Sequence, residues 1–205
     1  MRIGLAADSG GDIAALTRAI RLLVDTLHCE RVFFLGGNWA DVDACQEATA
    51  EAAAPPPPPS TEGDLVSLML GALAADAAAG QAHAAPRDDV VRVAEKGTGA
   101  PADEQKVMEM LGNTLCLLVH NKGDLNREDI ANAHLILHGR SRKAAVVRIG
   151  PRAFVTPGSV TGDEPTVGVL DLQGPSITVA FHDLDGRERS REGLTVGGGT
   201  KFSVK

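Results

Sequence analysis

The sequence predicts a mixed α/β (α+β) chain whose character changes along its length, giving two packed mixed β-sheets flanked by helices. Three observations carry this. Residues 2–35 read as strand, loop, helix, strand. After Asn132 a series of short apolar segments follows with Gly- and Pro-marked turns between them. Finally, 205 residues with 43% hydrophobic content suffice for one proper core, so a single domain over 1–205 is expected.

Taken in order, residues 2–7 are a short apolar run closed by Asp8-Ser9-Gly10-Gly11, a buried strand entering a loop. Asp12 is placed to cap a helix over 13–27, where Ile13, Leu16, Ile20, Leu23, Val24 and Leu27 recur at three- and four-residue spacing and mark one buried face. A second strand over 31–35 ends in Gly36-Gly37-Asn38. Such a crossover favours parallel pairing in one sheet.

Composition then shifts. Residues 41–54 form an Ala-rich acidic helix candidate, the five prolines at 55–59 must be extended because proline fixes φ and lacks an N–H, and 64–79 form a second helix candidate striped by Leu65, Leu68, Met69, Ala72 and Leu73. We read about 44–87 as a helical Ala/Pro-rich insertion. Its stripe suits packing on its own domain or, alternatively, a protein partner.

Beyond it, 89–93 returns to strand, 103–111 reads as helix, and 114–119 is a strand leading to His120. Strands are then expected over 134–138, 145–149, 153–156, 166–172, 176–182 and 194–204. Gln173-Gly174-Pro175 and Asp185-Gly186-Arg187 supply hairpin chemistry.

Several function classes are disfavoured. A formal net charge of −7 argues against a general nucleic-acid binder. One Trp and no Tyr supply a poor stacking platform. Cys29, Cys45 and Cys116 lie far apart without Cys-x-x-Cys spacing, fitting neither a zinc knuckle nor a disulfide framework, and imply a reducing cytoplasm. The N-terminus lacks a signal peptide's apolar core and no apolar run approaches a membrane span, so no membrane-spanning segment is expected.

The stretch Ile136 to Val160 organises the chain: a strand, a tight turn after Gly139, two short strands, then Pro157-Gly158-Ser159. This layout resembles the C-terminal signature of the calcineurin-like metallophosphoesterases of the small phosphodiesterase type. There a strand ends in Gly-His-Thr-His and an Asn-Pro-Gly-Ser loop follows a hairpin. The N-terminal unit resembles the same family's opening, with Asp-x-His-Gly after the first strand and Gly-Asp after the second. The resemblance spans nearly the whole chain apart from the insertion and implies a four-layer αββα sandwich.

It also implies a site, and the site is degraded. Such enzymes hold two divalent ions in a dense set of Asp, His and Asn ligands. Asp8 and His120 match ligand positions, whereas Gly10, Gly37, Arg140 and Arg142 stand where ligands belong, and Lys96 lies nearest the position of the family's Asn. A guanidinium donates five N–H groups and offers no lone pair. At an effective dielectric near 20, it repels a divalent ion about 4 Å away by about 8 kcal/mol.

The expectation is therefore a metallophosphoesterase-like protein without metal or other cofactor and without hydrolysis, acting as a protein-binding, scaffold or regulatory module. The former active-site pocket gathers Asp8, Asn38, Trp39, Lys96, His120, Arg140 and Arg142. Arg140 or Arg142 is expected either to pair with Asp8 or, with Lys96, to hold a phosphate-containing ligand. A protein partner would engage this mouth or the insertion at 55–79. The alternative is an active metal-dependent phosphodiesterase or phosphatase with an atypical metal site. A lesser one is guanine-nucleotide binding through Asn121-Lys122-Gly123-Asp124, although no Gly-x-x-x-x-Gly-Lys-Ser/Thr phosphate cradle accompanies it. Ser9 and Ser159 sit in no nucleophile elbow, and His28, His83, His134, His138 and His182 form no metal-binding pair.

Overall fold

A computed structural model describes residues 1–53, 90–96, 100–174 and 176–194. The first half of the chain winds as β1 (Arg2–Ala6), α1 (Ile13–Arg21), β2 (Arg31–Gly37), α2 (Trp39–Ala53) and β3 (Val90–Ala94). Asp12 caps α1 as its position predicts, its Oδ1 accepting from the Ala15 N–H at 2.9 Å. The helix does not run α-helical to residue 27. It widens into a π-turn over Leu22–Thr26 that keeps Leu22 and Leu23 buried and closes with the Leu27 N–H on the Leu22 carbonyl.

The expected helix over 103–111 is a correction. Only α3 (Ala102–Gln105) is helical, and Lys106–Leu111 is a strand, β4, paired antiparallel with β5 (Thr114–Val119) across a Gly112-Asn113 turn. Its residues are good helix formers, but they alternate. Val107 and Leu111 pack on the core while Met108 and Met110 face outward. Inward-facing Glu109 takes both guanidinium branches of Arg31 on β2, at 3.1 and 3.2 Å. Tertiary pairing thus overrides local propensity.

The rest of the chain is α4 (Arg127–Asn132), β6 (Leu135–His138), β7 (Ala144–Ile149), β8 (Arg152–Pro157), β9 (Thr166–Gln173), β10 (Ser176–Asp183) and β11 (Glu188–Leu194). The last described strand, β11, was not expected, and the expected strand over 194–204 lies almost wholly outside the described residues. Asp183 Oδ1 collects the N–H groups of Asp185 and Arg187 and closes the turn, so β11 forms from the polar run Glu188–Leu194, which no hydrophobic pattern marks. Residues 195–205 lie outside the described residues, as do the proline run at 55–59, the striped segment 64–79 and hence most of the insertion.

The strands form a six-stranded sheet ordered β11-β10-β9-β1-β2-β3 and a five-stranded sheet ordered β4-β5-β6-β8-β7, each mixing parallel and antiparallel pairs. Ile3, Leu5, Phe33, Leu35, Leu118, Leu137 and Val155 fill the space between them. Leu16, Leu23, Phe34 and Val42 pack the helices α1 and α2 on the outside of the first sheet. Leu117, Val119 and Ile136 lie on the outside of the second, with Ala133 packed against them just after α4. The layers run helix, sheet, sheet, helix, as expected. The parallel strands β1, β2, β3, β5 and β6 end on the same side of the molecule, where ligands collect in such sheets.

Candidate functional site

β1 delivers Asp8 in the left-handed region, with φ 29°. The loop at Pro157-Gly158-Ser159 holds it there: Ser159 Oγ donates to the Asp8 carbonyl at 2.7 Å, and the Val160 N–H reaches the Ala7 carbonyl at 3.4 Å. Burial pushes the Asp8 carboxyl above its ordinary range, opposed by His120, by the Ser141 N–H and by Arg140.

β5 delivers His120, whose Nδ1 lies 2.8 Å from the Leu35 carbonyl oxygen. A carbonyl only accepts, so Nδ1 carries the proton of this bond and has no lone pair to offer. Nδ1 is the atom facing Asp8, at 3.9 Å, whereas Nε2 lies 3.9 Å from Glu95 Oε1. The ring fills the space beside Gly37. A Cβ built on Gly37 would approach the ring within 2.8 Å and Glu95 Cβ within 3.0 Å, from a backbone at φ 78° that other residues rarely adopt. On the other side of the Leu35 carbonyl lies Gly139, where any Cβ would collide with that oxygen. The backbone ends of β2 and β6 therefore approach closely across the mouth, with His120 beside them.

Arg140 follows at φ 45°, its side chain 62% exposed and its Nη1 3.9 Å from Glu95 Oε1. Arg142 is exposed, and its carbonyl accepts from the Ser159 N–H. Among the described residues the expected Arg–Asp8 ion pair does not form: the side chain within 4 Å of the Asp8 carboxylate is His120, and Arg140 is turned to Glu95.

The remaining expected residues divide. Lys96 lines a cavity of about 180 Å³ with His120, Gln105, Lys106 and Asp124. Asn38 instead donates to Asp41 at 2.6 Å, and Asp41, buried in the first turn of α2, also accepts from Ser9 Oγ and from the Gly11 N–H. Trp39 lies on the helix-covered face, its ring 5.0 Å beneath the Arg92 guanidinium that also reaches Asp43. Its indole Nε1 is buried with no hydrogen-bond partner among the described residues. Asn121 caps its own turn, its Oδ1 accepting from the Gly123 N–H at 3.0 Å. Sequence reading missed Glu95 and Asp41, although each is an acid at the exit of a strand or loop that the reading had placed at the mouth.

The donor set does not fit the pair of metal ions that the resemblance implies. His120 turns its protonated Nδ1 rather than its lone pair toward Asp8, Gly37 leaves no room for a bridging carboxylate, and Arg140 and Arg142 supply no lone pair. Among the described residues no group of three or more His, Cys, Asp or Glu side chains is placed to hold a metal ion.

No family model matches this chain, and no curated protein matches it in sequence. Its fold matches solved structures across their full length. Vps29 of Chaetomium thermophilum aligns over 100% of both chains at 14% identity with a TM-score of 0.56. A predicted phosphoesterase of Streptococcus pneumoniae aligns over 95% of this chain and 97% of its own at 15% identity and 0.55. Vacuolar Protein Sorting 29 of Cryptosporidium parvum aligns over the same shares at 16% identity and 0.54.

Proposed function

We propose that this chain, whose fold is that of the calcineurin-like metallophosphoesterases, is a protein-binding module that performs no metal-dependent hydrolysis. The observation that supports it best is the Leu35–His120–Gly37 contact. It turns the protonated Nδ1 toward Asp8 and leaves the one ring lone pair, on Nε2, toward Glu95, and it fills with an imidazole the space a bridging carboxylate needs. The names of the fold neighbours, one a predicted phosphoesterase and others vacuolar protein-sorting proteins, place the fold in more than one kind of protein. The proposed partner is a protein that engages the mouth around Asp8, Glu95, His120, Arg140 and Arg142, or residues 55–79.

A second reading rests on the cavity beside His120. Two ammonium groups, Lys96 and Lys106, line it with the imidazole, which favours a small anion such as a phosphate group, although Asp124 and the Lys106–Asp129 pair at 2.6 Å moderate the charge. Elemental analysis of the purified protein and an assay on generic phosphodiesters test the main reading. About two metal ions per chain, with hydrolysis abolished by Asp8→Ala, would sink it.

A further inference from the structure

The second sheet ends in β7, whose described pairing is with β8 alone. Hydrogen bonding fixes which of its groups face outward. The Ala153 N–H donates to the His134 carbonyl, toward β6, so Ala153 and its opposite Arg148 form a non-hydrogen-bonded pair. By alternation, Ala144, Val146 and Arg148 direct their N–H and C=O groups to the open edge.

Edges of this kind are commonly guarded by charge. Here the one charge within the strand is turned away, because the Arg148 guanidinium reaches Glu192 at 2.9 Å and the Gly193 carbonyl at 2.8 Å on β11. The outer-facing side chains left are Ala145, Val147 and Ile149, and the last two are 51% and 59% exposed. The opposite edge, β4, differs in packing beside β3 and in having Lys106 tied to Asp129.

We propose that β7 is the seam of a symmetric homodimer, pairing antiparallel with β7 of a second copy so that Val147 meets Val147. In that register Ala145 opposes Ile149 on the outer face and Val146 opposes Arg148 on the inner face. Arginine never faces arginine, and both strands offer the same outward N–H and C=O groups. The strand is thus complementary to itself in shape, charge and hydrogen bonding. A two-fold pairing of this kind closes on itself and leaves no growing end.

The test is sedimentation or light scattering over a concentration series, joined to cysteine cross-linking. The parent is expected to reach the mass of two chains and Val147→Lys to stay at one chain with the parent's circular-dichroism spectrum and the melting curve of the parent diluted to monomer, since the position is half exposed. Val147 faces itself as a non-hydrogen-bonded pair, with Cα atoms about 4.5 Å apart, within disulfide range. Val147→Cys should therefore form a covalent dimer on mild oxidation, and Ile149→Cys should not. The native cysteines are buried and give no background. A parent that is monomeric at every concentration overturns the proposal, as does a Val147→Lys dimer or equal cross-linking at 147 and 149. A dimer that appears only after removal of residues 195–205 also overturns it and assigns the edge to the chain's own tail.

Discussion

Gly37→Ala isolates the contact on which the functional reading rests. Gly37 and Gly10 both hold positive φ, 78° and 58°, so an alanine at either position carries a left-handed penalty of about 1 kcal/mol. They differ in their surroundings. A Cβ at Gly10 meets nothing within 4 Å, whereas at Gly37 it meets the His120 ring at 2.8 Å and Glu95 Cβ at 3.0 Å. The imidazole cannot retreat without losing its bond to Leu35, so overpacking adds about 1 to 3 kcal/mol. Urea melts followed by circular dichroism should place Gly10→Ala about 1 kcal/mol below the parent and Gly37→Ala about 2 to 4 kcal/mol below it. His120→Ala should lower the incremental cost of Gly37→Ala toward that of Gly10→Ala. Equal costs at the two glycines would refute the packing argument and reopen room for a carboxylate at 37.

Asp41→Ala should cost about 3 kcal/mol in the same melts, because Ser9 Oγ, the Gly11 N–H and Asn38 Nδ2 lose one buried charged acceptor; a change under about 1 kcal/mol would show that water replaces it. Arg140→Ala should change stability by less than about 1 kcal/mol, as befits an exposed pair with Glu95, and a drop of several kcal/mol would restore the buried Asp8–arginine pair. Burial raises the folded-state pKa of Asp8 above 3.8, so its favourable contribution is full below that pH and lost as pH rises through the folded value; Asp8→Asn should gain on the parent from acid toward neutral pH. Asp129 has the opposite sign: against its desolvation, the Asn126 N–H and Lys106 hold its pKa below 3.8, so its stability is present above that pH and lost on acidification. Asp129→Asn should therefore fall behind the parent as pH rises, and pH-resolved melts in which the two variants move together would contradict both assignments.

How much of this was legible in the sequence depended on whether a residue's neighbours were local. The α1 cap at Asp12, the strand–helix–strand opening and the hairpin strands are set by short-range periodicity and turn chemistry, and they appear within a residue or two of expectation. β4 was misread as helix and β11 was missed because each is stabilised across the fold. Glu109 needs Arg31, and Glu188–Leu194 is held by backbone pairing to β10 with almost no apolar pattern. The mouth shows the same division. Asp8, His120 and Arg140 follow from their strand ends, but the acid that answers Arg140 is Glu95 on another strand's exit. Trp39, two residues beyond Gly37, turns with α2 onto the opposite face of the sheet, under Arg92.

The central claim, that His120 is held by the backbone and holds no metal, is tested most directly by nitrogen-15 NMR of the histidine rings during zinc addition. The account predicts that the His120 ring keeps its proton on Nδ1, donated to Leu35, and that its Nε2 resonance does not move with stoichiometric zinc. A His120 Nε2 signal that shifts at one equivalent, and returns to its place in Asp8→Ala or Glu95→Ala, would show a working metal site and contradict it.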